Sequence, residues 1–352
     1  MKSSLLGSAA FITFVSAATL AVWPLPHSVN QLQNGIVLVG SVSRPIFMGI
    51  TLLTTDSSFS SSISYPTDST TYATDGNIIN VLIRPPIGPT PGGFNSTDSF
   101  EFTDIDLNGT FNIVNQSFVL TPQSFVNRYG VQLGLGRLGF GQLPAGSSII
   151  ERLQDSYGIA LLVGCWYSNS LSTQSGRVQF GGSEPAYYNV SEVNTHNTYV
   201  PEMGLWSLRG NDVVFANATS TFAFNWNGNF VLEPSYARMI VPRHIMQAMA
   251  QLFNWQYQNT VNGIENYRVP TILLPTLPTL QLTIDSSVYS IPPENYVNPV
   301  GAFGYRNLLI AGGDLLVNYN PVWILGLPFQ LIYYTILDYQ NNTVSLSPAV
   351  QV

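Results

Sequence analysis

The chain has 352 residues, enough for two lobes that each bury a core of their own. Charged residues make up only 9% of it, 12 Lys and Arg against 19 Asp and Glu, for a net charge of −7. Phosphate binding needs clustered Lys and Arg, and no such cluster exists here, so composition argues against nucleic acid as a partner.

In chain order, Lys2 precedes an apolar stretch from Leu5 to Val15 and the small residues Ser16-Ala17-Ala18, the pattern of a secretion signal over residues 1–21. Cleavage after Ala17 or Ala21 fits. The rival reading is a membrane anchor, since no charge falls between Leu5 and Trp23, but Gly, Ser, Thr and Ala dilute the stretch. No later segment is long and apolar enough to span a bilayer. The Ser/Thr-rich stretch Ser57–Ser69 and the Pro/Gly-rich stretch Pro85–Gly93 read as exposed loops. Ser148 and Glu151 have capping-box spacing ahead of Leu153, which predicts a helix. Cys165 is the single cysteine, so no intrachain disulfide exists, and it reads as a small buried hydrophobe. Val178-Gln179-Phe180, Phe222-Ala223-Phe224 and Leu280–Ile284 alternate with period two, as strands do. Pro242 opens a second predicted helix with Ile245, Ala248, Met249 and Leu252 on one face. Few helices among many strands, punctuated by 29 Gly and 23 Pro, indicate an all-β protein. Asn-x-Ser/Thr sequons start at Asn95, Asn108, Asn115, Asn189, Asn217 and Asn341, candidate glycan sites on a charge-poor surface.

Residues Phe230 to Pro242 read F-V-L-E-P-S-Y-A-R-M-I-V-P. This resembles the second active-site segment of pepsin-like aspartic proteases, where an apolar run leads to D-[ST]-G-[ST], a further apolar run, a proline and a helix. Other stretches follow the family's order: Leu133-Gly134-Leu135-Gly136, Gly176–Gly182, Tyr199-Val200-Pro201 with Trp206, and Ile324-Leu325-Gly326 with Tyr333–Asp338 and Val344–Pro348. The resemblance covers about residues 35 to 350. It implies a bilobal, mostly β fold of two barrel-like lobes, with an N-terminal lobe over 22–190, a C-terminal lobe over 191–352 and a cleft between them.

The family's chemistry needs two carboxylates, one from each lobe, that share a proton: one takes a proton from water while the other donates to the substrate carbonyl. Against that pattern Glu233 stands where the second Asp belongs, and Pro234-Ser235-Tyr236 replaces the small residues that follow it. In the first lobe Gly35–Gly40 fits the opening, and Thr54-Thr55-Asp56-Ser57-Ser58 aligns with D-T-G-S-S, placing Thr54 on the catalytic position. A hydroxyl cannot accept a proton from water as a carboxylate does. A rival register slides Asp56 onto that position. The plainer reading of Glu233 is a solvated loop acid beside Arg238. Tyr72, in Tyr-Ala-Thr-Asp-Gly, matches the family's flap Tyr apart from one extra residue, and also reads as a surface hairpin residue. A basic propeptide would precede the first lobe in the family, and only Ala18 or Val22 to Asn34 stand in its place.

Gly134-x-Gly136-x-x-Gly139 matches a dinucleotide fingerprint but lacks the helix that must follow it. His27, His196 and His244 are far apart and lack metal-ligand spacing, so no metal or cofactor is expected. The expectation is a secreted, catalytically inactive pepsin-like homologue, monomeric, that binds a peptide, glycan or protein partner through its cleft or surface. An active endopeptidase with an Asp56/Glu233 dyad and a structural or storage glycoprotein are the alternatives. The extracellular space is the expected location, an acidic lysosome-like vesicle the alternative.

Overall fold

The computed structural model describes residues 19–24, 33–39, 44–51, 57–60, 73–80, 92–104, 109–121, 136–139, 148–168, 176–199, 205–217, 221–234, 236–261, 263–314, 316–317 and 320–351. Its elements run β1 (Thr19–Pro24), β2 (Gln33–Val39), β3 (Arg44–Thr51), β4 (Ser57–Ser60), β5 (Ala73–Asn80), β6 (Gly92–Asp104), β7 (Gly109–Thr121), β8 (Gly136–Gly139), α1 (Ile149–Tyr157), β9 (Leu162–Tyr167), β10 (Gly176–Phe180) and β11 (Asn194–Asn197). The second half holds β12 (Ser207–Ala216), β13 (Thr221–Phe224), β14 (Asn229–Leu232), β15 (Met239–Val241), α2 (Arg243–Leu252), β16 (Gln256–Val261), β17 (Ile264–Pro270), β18 (Thr279–Ile284) and β19 (Ser287–Ile291). It closes with α3 (Pro293–Tyr296), β20 (Val297–Ala302), β21 (Tyr305–Gly312), β22 (Leu316–Val317), β23 (Asn320–Leu325), α4 (Leu327–Gln330), β24 (Tyr333–Asp338) and β25 (Thr343–Pro348).

Among the described residues these strands form one sheet of 13 and one of 12. The first runs β11-β25-β24-β9-β10-β1-β2-β3-β8-β4-β7-β6-β5, and the main path of the second runs β16-β17-β21-β15-β23-β14-β12-β18-β19. The chain's last two strands therefore return to the first sheet, where Thr335 pairs with Cys165.

Both sheets contain the same threaded motif. In the second, β23 lies between β14 and β15, parallel to β14 and antiparallel to β15, while β15 runs parallel to β21. In the first, β8 lies between β3 and β4, parallel to β3 and antiparallel to β4, while β4 runs parallel to β7. The registers also agree. Val231 and Ile240 both face Ile324 across the threaded strand, as Gly49 and Ser58 both face Arg137, nine positions apart in each case. Each threaded strand is thus flanked by two strands whose facing residues are the same distance apart in the chain.

Burial explains the composition of these strands. Phe230, Leu232, Trp323 and Leu325 face the main core, while Val231, Val322, Ile324 and Ile240 form a second apolar cluster on the opposite side. A strand covered on both faces reads as a continuous apolar run rather than an alternating one. By contrast β18 alternates half-buried and buried residues along its length, and β10 buried and half-buried.

The two helices form where sequence places them. Ser148 caps α1 with a reciprocal capping box to Glu151, and Gly158 closes it in the left-handed region at φ 67°. Pro242 precedes α2, but the buried stripe is Ile245, Met246, Met249 and Ala250. This corrects the predicted face: Leu252 is 48% exposed, because the helix rests on β21 through a stripe turned by one residue toward Met246 and Ala250. Cys165 is buried, as its residue type predicts. Of the sequons, Asn189 caps a short helical turn and donates to Glu192 Oε1 at 2.6 Å, Asn217 donates to the Thr276 carbonyl at 2.8 Å, and Asn341 sits exposed in the β24–β25 turn. Asn95 and Asn115 lie on β6 and β7, and Asn108 lies outside the described residues.

Candidate active site

Glu233 follows directly on β14, at the point where the chain leaves the sheet to arc over β23. Its amide donates to the Leu325 carbonyl at 3.1 Å, and its carbonyl accepts from the Tyr236 amide at 3.3 Å. The far side of the arc is clamped in the same way, since Leu327 N–H donates to the Tyr236 carbonyl at 2.8 Å. Gly326 makes this closeness possible: a Cβ there would collide with the carbonyl oxygens of Arg238 and Tyr236. The Gly of the Ile-Leu-Gly run is therefore a steric requirement of the arc.

Glu233 itself is fully buried, 0% exposed. The reading of a solvated loop acid is thereby overturned. The carboxyl lies among packed strands, and the Arg238 guanidinium, whose pKa burial lowers, donates to the Asn266 side chain. Glu233 also acts across to the first sheet. The Tyr167 hydroxyl on β9 is pushed well above the ordinary phenol range, first by burial, then by Cys165, and also by the Glu233 carboxyl. The Cys165 thiol beside it is pushed up to about 12 by burial. The amide of Gln330 on α4 and the hydroxyl of Thr335 on β24 are buried without a hydrogen-bond partner among the described residues.

In the first sheet the equivalent arc joins β3 to β4. Thr54 and Asp56, the two rival candidates, fall in residues 52–56 and lie outside the described residues, as does Tyr72. The shared register adds a position that motif matching did not single out. Glu233 stands two residues beyond Val231, and two residues beyond Gly49 stands Thr51.

Sequence reasoning also passed over His196. It is buried at 3% exposure, with Nδ1 2.8 Å from Asp285 Oδ2 and Nε2 2.5 Å from the Tyr289 hydroxyl. It ties β11 of the first sheet to the β18–β19 hairpin of the second. His244 is exposed on α2. At the opposite end of β14 from Glu233, a depression of about 220 Å³ is lined by Tyr199, Arg209, Trp226, Asn227, Asn229 and Pro321.

Comparison with known proteins agrees with this architecture. Renin of Canis lupus familiaris is 27% identical over 187 residues, which is 52% of this chain and 44% of that protein. Plasmepsin I of Plasmodium falciparum is 24% identical over 293 residues, 80% of this chain and 58% of its own length. Pepsin A-5 of Mus musculus is 24% identical over 295 residues, 81% of this chain and 70% of its own length. The chain spans about half the length of the renin and plasmepsin relatives it matches. The family model for eukaryotic aspartyl protease matches residues 51–349, which takes in both arcs and both threaded strands. The chain belongs to the eukaryotic aspartyl protease family.

Proposed function

We propose that this chain is a pepsin-like homologue that has lost peptide-bond hydrolysis and binds a peptide, glycan or protein partner. The observation that carries the reading is the complete burial of Glu233 at the end of β14. An acid that activates water must open to the water and to the substrate. Glu233 is one methylene longer than the family's Asp, and Pro234 removes a backbone donor just after it. Displacements of about 1 Å cost on the order of 100-fold in rate. In the first lobe, strand register assigns Thr51 and the family motif assigns Thr54 to the position of the second carboxylate, and neither residue carries one. The rival dyad, Asp56 with Glu233, is favoured by the extent of the family match, which covers both arcs.

One experiment separates them: incubation of the pure protein with an unfolded protein substrate at acid pH, with and without pepstatin. Inertness is expected. Pepstatin-sensitive cleavage that disappears in Glu233→Gln would overturn the proposal in favour of the Asp56/Glu233 dyad. A peptide array on the inert protein then distinguishes a ligand-binding role from a structural or storage glycoprotein.

Export follows from the same reading. Among the described residues no helix is long and apolar enough to cross a membrane. We place signal cleavage after Ala17, because β1 pairs with β10 from Thr19 to Val22, and a cut after Ala21 would remove half of that strand. With that cut the first lobe begins at Ala18 instead of 22 and runs to 190, and the second lobe over 191–352 stands as part of this proposal. Edman sequencing of the secreted protein reads the cleavage site directly.

A further inference from the structure

The second lobe carries an apolar point that its core does not use. β20 and β21 are joined by the two-residue turn Phe303-Gly304, with Ala302 paired to Tyr305. Both turn residues have positive φ, 53° and 79°. Such turns favour Asn-Gly or Asp-Gly, because a bulky side chain is strained in the left-handed region. Here the position is taken by a phenylalanine that is 99% exposed. Phe303 is therefore unfavourable twice, in its backbone and in its solvation.

A second exposed side chain stands beside it. The Thr271 amide donates to the Gly304 carbonyl at 2.8 Å. Ile272, the next residue, is 84% exposed, while Leu273 and Leu274 pack against the core and hold the short helical turn Thr271–Thr276 in place. Single exposed apolar residues are ordinary; two this exposed, on adjoining rigid turns, form a patch.

Charge around the patch runs against the charge of the chain. The two segments that build the point, residues 268–276 and 298–307, contain Arg268 and Arg306 and no acid, in a protein of net charge −7. The Arg268 guanidinium lies over the Tyr305 ring, 4.2 Å from its centroid. Arg306, half-buried, lies along Gly301. An exposed apolar tip with an aromatic ring and two guanidinium groups next to it combines the chemistry that an acyl boundary, a membrane interface and anionic headgroups take.

We propose that the Phe303/Ile272 point is a peripheral docking site for an anionic lipid surface. This proposal does not depend on the fate of the active-site acids. The tip projects into solvent, which suits a medium that deforms around it. Sedimentation of the full chain with phosphatidylcholine vesicles, with and without phosphatidylserine, tests it. Binding to the phosphatidylserine vesicles is expected. Phe303→Ser and Ile272→Ser each lower the partition coefficient about tenfold, and Arg306→Gln lowers it about fivefold. Because Phe303 and Ile272 lie outside the core, the variants keep the wild-type melting curve. No binding to anionic vesicles, or binding that survives both serine variants, overturns the proposal. Self-association in analytical ultracentrifugation that Phe303→Ser abolishes would reassign the patch to a second copy of the chain and equally overturn it.

Discussion

The amide of Glu233 is bonded to the carbonyl of Leu325, the last residue of the strand that its own arc encircles. The position of the acid is thus set by the backbone of two crossing segments, not by the acid's chemistry. The frame therefore does not depend on a second carboxylate facing the acid.

A first prediction concerns what holds that frame. Gly326→Ala places a methyl against the Arg238 and Tyr236 carbonyls, which are fixed by the arc. It is expected to destabilise the protein by about 3 kcal/mol, the upper range for overpacking, as read by urea denaturation. Glu233→Gln, which keeps the shape and leaves the backbone bonds alone, is expected to cost far less. Equal losses would mean that the carboxylate rather than the close approach holds the arc.

The burial of Cys165 gives a pH prediction with a definite sign. Its thiol ionises near ~8.5 when unfolded but only at about 12 when folded. A raised acid favours the protonated folded state, so its contribution is complete below ~8.5 and declines as pH rises toward the folded value. The slope is about 1.4 kcal/mol per pH unit for this one group. The Tyr333 hydroxyl, held up to about 12 chiefly by burial, acts in the same direction at higher pH. Chemical denaturation from pH 8 to 11 should show Cys165→Ala losing less stability with pH than wild type. Folded wild type should leave a thiol reagent unreacted at pH 8, and reaction at the rate of a free thiol would refute the assignment.

The His196 bridge predicts an asymmetry. His196 is buried, while the Asp285 side chain is 58% exposed. Removing the ring takes away one of the Tyr289 hydroxyl's partners and leaves a cavity, a loss of about 2–4 kcal/mol for His196→Ala. Asp285→Asn alters a contact whose carboxylate is open to solvent and should cost under about 1 kcal/mol. Melting of both variants decides this, and a reversed order would show the exposed carboxylate to be the dominant partner.

These features were unequally legible in the sequence. The arc at Glu233 and the Ile-Leu-Gly strand are local patterns, and an unbroken apolar run signals a strand covered on both faces. The Ser148 cap is local too: its partner is three residues away. His196 was opaque because its partners lie 89 and 93 residues on, across two sheets. The buried face of α2 was misjudged because Ala248 and Leu252 fit the helical period as well as Met246 and Ala250 do. Only packing on β21 selects between the stripes. Thr51 emerged from register, a property of paired strands that no single segment carries.

Phe303 yields the last prediction, separate from any ligand. At φ 53° its backbone occupies the left-handed region, which costs a non-glycine residue on the order of 1–2 kcal/mol. Asparagine tolerates that region and is preferred in two-residue turns of this kind. Phe303→Asn should therefore stabilise the free protein by about 1 kcal/mol, although it deletes the largest exposed side chain of the hairpin. Differential scanning calorimetry measures the shift. A fall in melting temperature would mean that the phenyl ring makes a contact worth more than the strain it imposes, and that the turn owes its shape to that contact. A rise would mean that a residue costly to the isolated fold is kept in the turn nonetheless, so that whatever Phe303 contributes is realised outside the folded chain alone.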